Sequence, residues 1–136
     1  MSKQLNPGDR AALENVVTEA RTAAAFAEGE GERFPAVLAT PCLIADLERA
    51  CARLLAPLLS EGQLSVGAHI DVRHVAPTGV GGRYRAEAVF TEKSGALFWF
   101  DVRAEDTAGV IAKGRIARAI VDEAVIIARG SKGAGL

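Results

Sequence analysis

The chain has no run of about 18 apolar residues, the length a helix needs to cross a bilayer. It also lacks an excess of charge: 16 Lys and Arg stand against 17 Asp and Glu. A domain that grips nucleic acid by its phosphates is basic, so that class is excluded. The opening MSKQLNPGDR has no apolar core of the signal-peptide kind. Cysteine is scarce, and Cys42 and Cys51 are nine residues apart on one predicted helix. That spacing separates their backbones by about 13 Å, whereas a disulfide needs Cα atoms within ~7 Å. No histidine stands near them at metal-ligand spacing. They read as reduced core residues, and the protein reads as cytoplasmic, with no membrane or nucleic-acid partner.

Motifs are missing too. There is no G-x-S-x-G elbow, no Walker loop and no metal signature. The glycine-rich turn at residues 79 to 82 precedes a strand pattern and not a helix, so it is no phosphate loop. No repeat and no Gly/Pro/Ser linker divides the 136 residues. They read as one domain, with a core over about 9–123 and a frayed tail over 124–136.

What is there is well patterned. Residues 40 to 58 predict a helix, with Thr40 as N-cap and Pro41 at the first helical position. Leu43, Ile44, Leu47, Ala50, Cys51, Leu54, Leu55 and Leu58 recur at spacings of three and four, which makes one wide apolar face. Pro57 and Gly62 end it. Residues 64 to 76 alternate: Val66, Ala68, Ile70, Val72 and His74 on one face, Ser65, Gly67, His69, Asp71 and Arg73 on the other. Alternating runs follow at 83–92, 96–105 and 110–121, joined by short turns, so these strands predict an antiparallel meander. Residues 9 to 27 are ambiguous between helix and strand. One helix is available to cover the apolar face of the sheet. The fold class is α+β, a sheet wrapped around one central helix in the hotdog arrangement.

Three side chains carry candidate chemistry. Glu48 has Ile44, Ala45, Cys51, Ala52 and Leu55 as helical neighbours, all apolar. Such an acid either reaches water at the edge of the face or finds a partner. His74 falls on the predicted core face, as an inert core histidine or as a base. Thr40 is a plain cap or a hydroxyl beside free backbone N–H groups. Together they supply a hydroxyl, a base, an acid and oxyanion donors, the parts of acyl-transfer chemistry.

At these residues the sequence resembles a known family. The runs FPAVLAT (34 to 40), Glu48, ACARLLAP (50 to 57), VGAHIDVRH (66 to 74) and RAI (118 to 120) resemble those of the fluoroacetyl-CoA thioesterase family of hotdog proteins. The resemblance implies an acyl-CoA thioesterase with Thr40, Glu48 and His74 as its catalytic set. It places Gly67 near the substrate carbonyl and Arg118 in the last strand of the site. It implies five strands in the order β-α-β-β-β-β, with residues 10 to 18 as the first. One departure stands out. The fluoroacetyl-CoA enzyme gates its pocket with two phenylalanines three residues apart. Phe34 matches one, and Gly31 stands at the other. A more open loop would admit another short or medium acyl group.

Thr40 and Glu48 are eight residues apart, roughly 12 Å along a helix. They cannot both touch one carbonyl, so a third group bridges them or two subunits share the site. The resemblance implies that the strand at 64–76 lies at the sheet edge and pairs with its twin, since an edge of that length left open would invite aggregation. The expectation is an obligate homodimer with composite sites, open to higher assembly. Arg33, Arg73, Arg83, Arg85 and Arg118 are candidates for the phosphates of coenzyme A, which enters as part of the substrate. No metal or redox cofactor is required. The competing readings are a hotdog hydratase or dehydratase on acyl thioesters, and a non-catalytic acyl-CoA binding domain.

Overall fold

The computed structural model describes residues 4–136. Strand β1 (Arg10–Val16) leads into two 3₁₀ turns, Glu19–Arg21 and Ala23–Phe26. Helix α1 (Thr40–Leu55) follows and tightens into a 3₁₀ turn at Ala56–Leu58. Four strands come next: β2 (Gln63–His74), β3 (Arg83–Ser94), β4 (Leu97–Asp106) and β5 (Gly109–Asp122). Helix α2 (Glu123–Gly133) ends the chain. All pairings are antiparallel, in the order β1-β3-β4-β5-β2, so β1 and β2 form the edges. The five strands wrap α1, as the hotdog reading expects. No helix among the described residues is long and apolar enough to cross a membrane.

The periodicity explains the packing. Leu43, Leu47, Ala50, Cys51 and Leu55 of α1 are fully buried. They share one cluster with Tyr84, Phe90, Phe100, Val102 and Ile116 of the sheet. The α-helix stops at Leu55, earlier than residue 58, because Pro57 has no N–H to give and its ring clashes with the preceding turn. Residues 19 to 26 form 3₁₀ turns, which resolves the ambiguous segment.

Two expectations are corrected. The tail over 124–136 is not frayed: α2 occupies Glu123–Gly133, continuous with β5. Glu123 N–H donates to Gly62 C=O (2.9 Å), and Ser131 Oγ donates to Ile127 C=O (3.1 Å). Ala, Arg and Lys favour the helix, and Glu123 and Lys132 suit its dipole at the two ends. The second correction concerns β2. Its simple alternation fails at a β-bulge, because Gly67 pairs with Arg118 while His69 pairs with Ala117. Ala68 is the extra residue, and a one-residue slip exchanges the faces. Ser65 and Gly67 therefore share the helix-facing side with Ile70, Val72 and His74.

Replacing Leu47 by Ala tests the central position of α1. A fully buried leucine cut back to a methyl costs about 2–5 kcal/mol. Denaturant melts should show a loss in that range; a loss below about 1 kcal/mol would contradict the packing.

Candidate active site

The first turn of α1 brings two of the three candidates together. Ala39 is the N-cap and Thr40 the first helical residue, one position on from the expected arrangement. The Thr40 hydroxyl is consequently free of capping. Its Oγ1 lies 2.8 Å from His74 Nδ1, at the end of β2. His74 Nε2 is buried and has no partner among the described residues. Burial lowers the His74 pKa below its usual 6.5, against an opposing pull from the Ala76 backbone.

Beside this pair opens a cleft of about 360 Å³. Ala23, Pro35, Val37 and Leu38 line it with Val75 and Ala76, and Thr40 and His74 supply its polar groups. Leu43 N–H makes the first helical bond, to Ala39 C=O (3.1 Å). The N–H groups of Thr40 and Cys42 precede it at the positive end of the helix.

Glu48 lies elsewhere. Arg118 donates from Nη1 to Glu48 Oε1 (3.0 Å), from Nε to Ser65 Oγ (3.2 Å) and from Nη2 to Ser65 C=O (2.8 Å). Arg118 is only 9% exposed, and its guanidinium is engaged. That removes it from the surface arginines open to phosphates. Gly67 is the floor of this cluster, where a Cβ would overlap the Glu48 carboxylate. The bulge at Ala68 turns Gly67 toward α1. Within one chain, Thr40 and His74 meet, while Glu48, Arg118, Ser65 and Gly67 form a second cluster farther along β2.

Of the remaining arginines, Arg73 neighbours His74 on the outer face of β2, and Arg33 adjoins Phe34 in an exposed loop. Arg83 and Arg85 sit on β3, separated from β2 by two strands. Cys42 and Cys51 are both free. Burial pushes the Cys51 thiol up to about 12, so it stays protonated. Among the described residues no group of three or more His, Cys, Asp or Glu side chains gathers as a metal site would.

The model of the fluoroacetyl-CoA-specific thioesterase family matches residues 17–124. A fluoroacetyl-CoA thioesterase from Streptantibioticus cattleyicolor is 34% identical over 92 residues, 68% of this chain and 66% of that protein. The chain belongs to the fluoroacetyl-CoA-specific thioesterase family. Membership places it among the thioester hydrolases. A solved structure of the fluoroacetyl-CoA thioesterase FlK superposes with a TM-score of 0.89 at 28% identity, covering 96% of this chain and 98% of that one. A Thermus thermophilus member of the thioesterase superfamily gives 0.85 at 27% identity, covering 96% and 93%.

Phe34 is 46% exposed. Gly31 has φ +89°, a conformation that side-chain-bearing residues rarely adopt. A phenylalanine at that position would need a different loop.

The sequence reading overlooked Asp46, Arg21, Tyr84 and Ser65. Asp46, at 1% exposed, is the buried acid of α1, whereas the Glu48 side chain is 27% exposed. The signal was available: Asp46 follows Leu43 by three and precedes Ala50 by four, inside the apolar stripe.

Three outcomes follow from the geometry. Gly67→Ala should leave the fold intact, because the Glu48 side chain can swing away, and should cut thioester hydrolysis about tenfold or more. Unchanged kinetics would separate the Glu48 cluster from the chemistry. The acid limb of kcat/KM should have its midpoint below pH 6.5, since the buried His74 ring stays neutral in the folded chain. For the same reason stability should decline as pH falls from 6.5 toward the folded value, where the unfolded chain gains a proton first. An acid limb above 6.5 would contradict this.

Proposed function

We propose that this family member hydrolyses a short or medium acyl-CoA to the free acid and CoA, at sites shared by two subunits. The observation that carries the reading is the 2.8 Å contact between Thr40 Oγ1 and His74 Nδ1 beside an apolar cleft. A neutral ring next to a hydroxyl can accept a proton as a nucleophile adds to the thioester carbonyl. The attacking oxygen is that of Thr40, Glu48 or a water. Addition sends charge to the carbonyl oxygen, and the N–H groups at the start of α1 are oriented to receive it. The C–S bond then breaks, and the thiolate of CoA leaves and is protonated. Where an enzyme oxygen attacks, water releases the acid in a second step.

The second subunit answers the separation of Glu48 from His74. Strand β2 is an edge, and Ile70 on it is 44% exposed. An open edge of this length favours pairing with another strand. A two-fold axis at Asp71, with the bulged Ala68 not counted as a step, sets Gly67, with Glu48 and Arg118 above it, opposite the partner's His74. Each site then has Thr40 and His74 from one chain and Glu48 from the other. The cleft volume and Gly31 favour a small acyl group without the double-phenylalanine gate. Arg33, next to Phe34 in the chain, and Arg73, next to His74, are the arginines we assign to the phosphates of CoA.

The test is thiol release from acetyl-, fluoroacetyl-, butyryl-, hexanoyl-, phenylacetyl- and benzoyl-CoA. His74→Ala and Glu48→Gln should each abolish turnover of the preferred substrate. Mixing the two variants under conditions that exchange subunits should restore up to about a quarter of the wild-type rate, since half of the dimers are then mixed and each holds one intact site. No thiol from any substrate would overturn the reading. A stable, active monomer in the ultracentrifuge would overturn the shared site.

A further inference from the structure

Helix α1 is gripped by charge on two opposite flanks. Asp46 and Glu48 are two residues apart, roughly 200° around the helix. Glu48 is tied toward β5 and β2 through Arg118. Asp46 is tied the other way. It accepts from Tyr84 Oη, from Arg21 Nη2 (2.6 Å) and from Asn15 Nδ2 (3.4 Å), and Arg49 lies 3.4 Å away on the same helix. Tyr84 belongs to β3 and Asn15 to β1, so this grip binds α1 to the far half of the sheet.

Arg21 is the member of this network that reaches the site. Its Nη2 also donates to Tyr84 Oη (2.7 Å) and to the Cys42 carbonyl (3.3 Å) in the first turn of α1. Its own carbonyl accepts from Ala39 N–H (2.9 Å). Arg21 therefore holds the backbone on both sides of Thr40. Immediately after it, Thr22 bridges to Leu38, and Ala23 N–H donates to Val37 C=O (2.8 Å), so the same segment becomes a wall of the cleft. An ion pair with one partner buried adds little net stability compared with apolar packing, and its best-attested use is to fix one geometry among several.

We infer that Arg21, anchored on Asp46 and Tyr84, is the positioning residue that holds the Thr40 hydroxyl against His74. It touches neither the ring nor the cleft's contents and acts through the first turn of α1. The inference rests on the proposed roles of Thr40 and His74.

The test uses Arg21→Met and the milder Arg21→Lys, with Thr40→Ala as reference. Arg21→Lys keeps a cation for Asp46 on a shorter head group, which does not extend to where Nη2 serves Tyr84 and the Cys42 carbonyl as well. The main readout is the ¹⁵N resonance of the His74 ring in full-length protein. Only His69 and His74 contribute, and His74→Ala assigns them. Both variants should move the His74 Nδ1 signal toward its position in Thr40→Ala, Met more than Lys. On the substrate found in the acyl-CoA panel, kcat should fall about 10- to 100-fold for Met and less for Lys, with KM changed less than about threefold. A wild-type His74 spectrum in both variants would overturn the inference. So would a kcat loss that only tracks a lower melting temperature while the ring signal stays put. The spectrum decides even if no acyl-CoA is hydrolysed, so failure of the thioesterase reading and failure of this one are distinguishable.

Discussion

The rotation of α1 about its own axis is the constraint on which the site depends. One helix must cover the concave face of five strands, and its leucines do so with little selectivity for angle. Apolar contacts are non-directional, so a helix could roll by some tens of degrees and still bury Leu43, Leu47 and Leu55. The ion pairs on its two flanks are directional. Arg118 on one side and Arg21 on the other leave one rotation in which both Glu48 and Asp46 keep their partners. In that rotation Thr40 Oγ1 meets His74 Nδ1.

The sheet contributes a second device. A regular β2 would turn Gly67 and His74 to opposite faces, since they are seven residues apart. The bulge at Ala68 removes one step and gives both the same face. The absence of a side chain at Gly67 then leaves room for the Glu48 carboxylate. A hydroxyl–imidazole pair and a carboxylate–guanidinium pair thus stand at two places along one edge strand. The family to which the chain belongs hydrolyses thioesters. In the loop before α1, Gly31 has a left-handed backbone that makes a turn.

Much of this was legible in the amino acids. The spacing of Leu43, Leu47, Ala50 and Leu55 specifies an amphipathic helix, and period-two runs with short turns specify an antiparallel meander. Both are local patterns, readable from residues within a turn or two of one another. The placement of Thr40, Glu48 and His74 on the helix and the strand facing it was readable for the same reason. The first strand was not legible by propensity, because its pairing with β3 lies some seventy residues away and outweighs local preference.

Tertiary structure alone decided the rest. A bulge exists only relative to the strand it pairs with, so the alternation of β2 could not reveal that Ala68 slips against β5. The burial of Asp46 depends on Arg21, Tyr84 and Asn15 arriving from three other elements, without which the acid would be excluded from the core. The helical tail begins at Glu123, whose N–H donates to Gly62 at the foot of β2, a bond between residues 61 positions apart. The sequence by itself determined the helix, the strands and the chemically competent side chains, because periodicity and side-chain chemistry are local. Register, helix rotation and the partners of each buried charge belong to the folded chain, because each is a relation between distant segments.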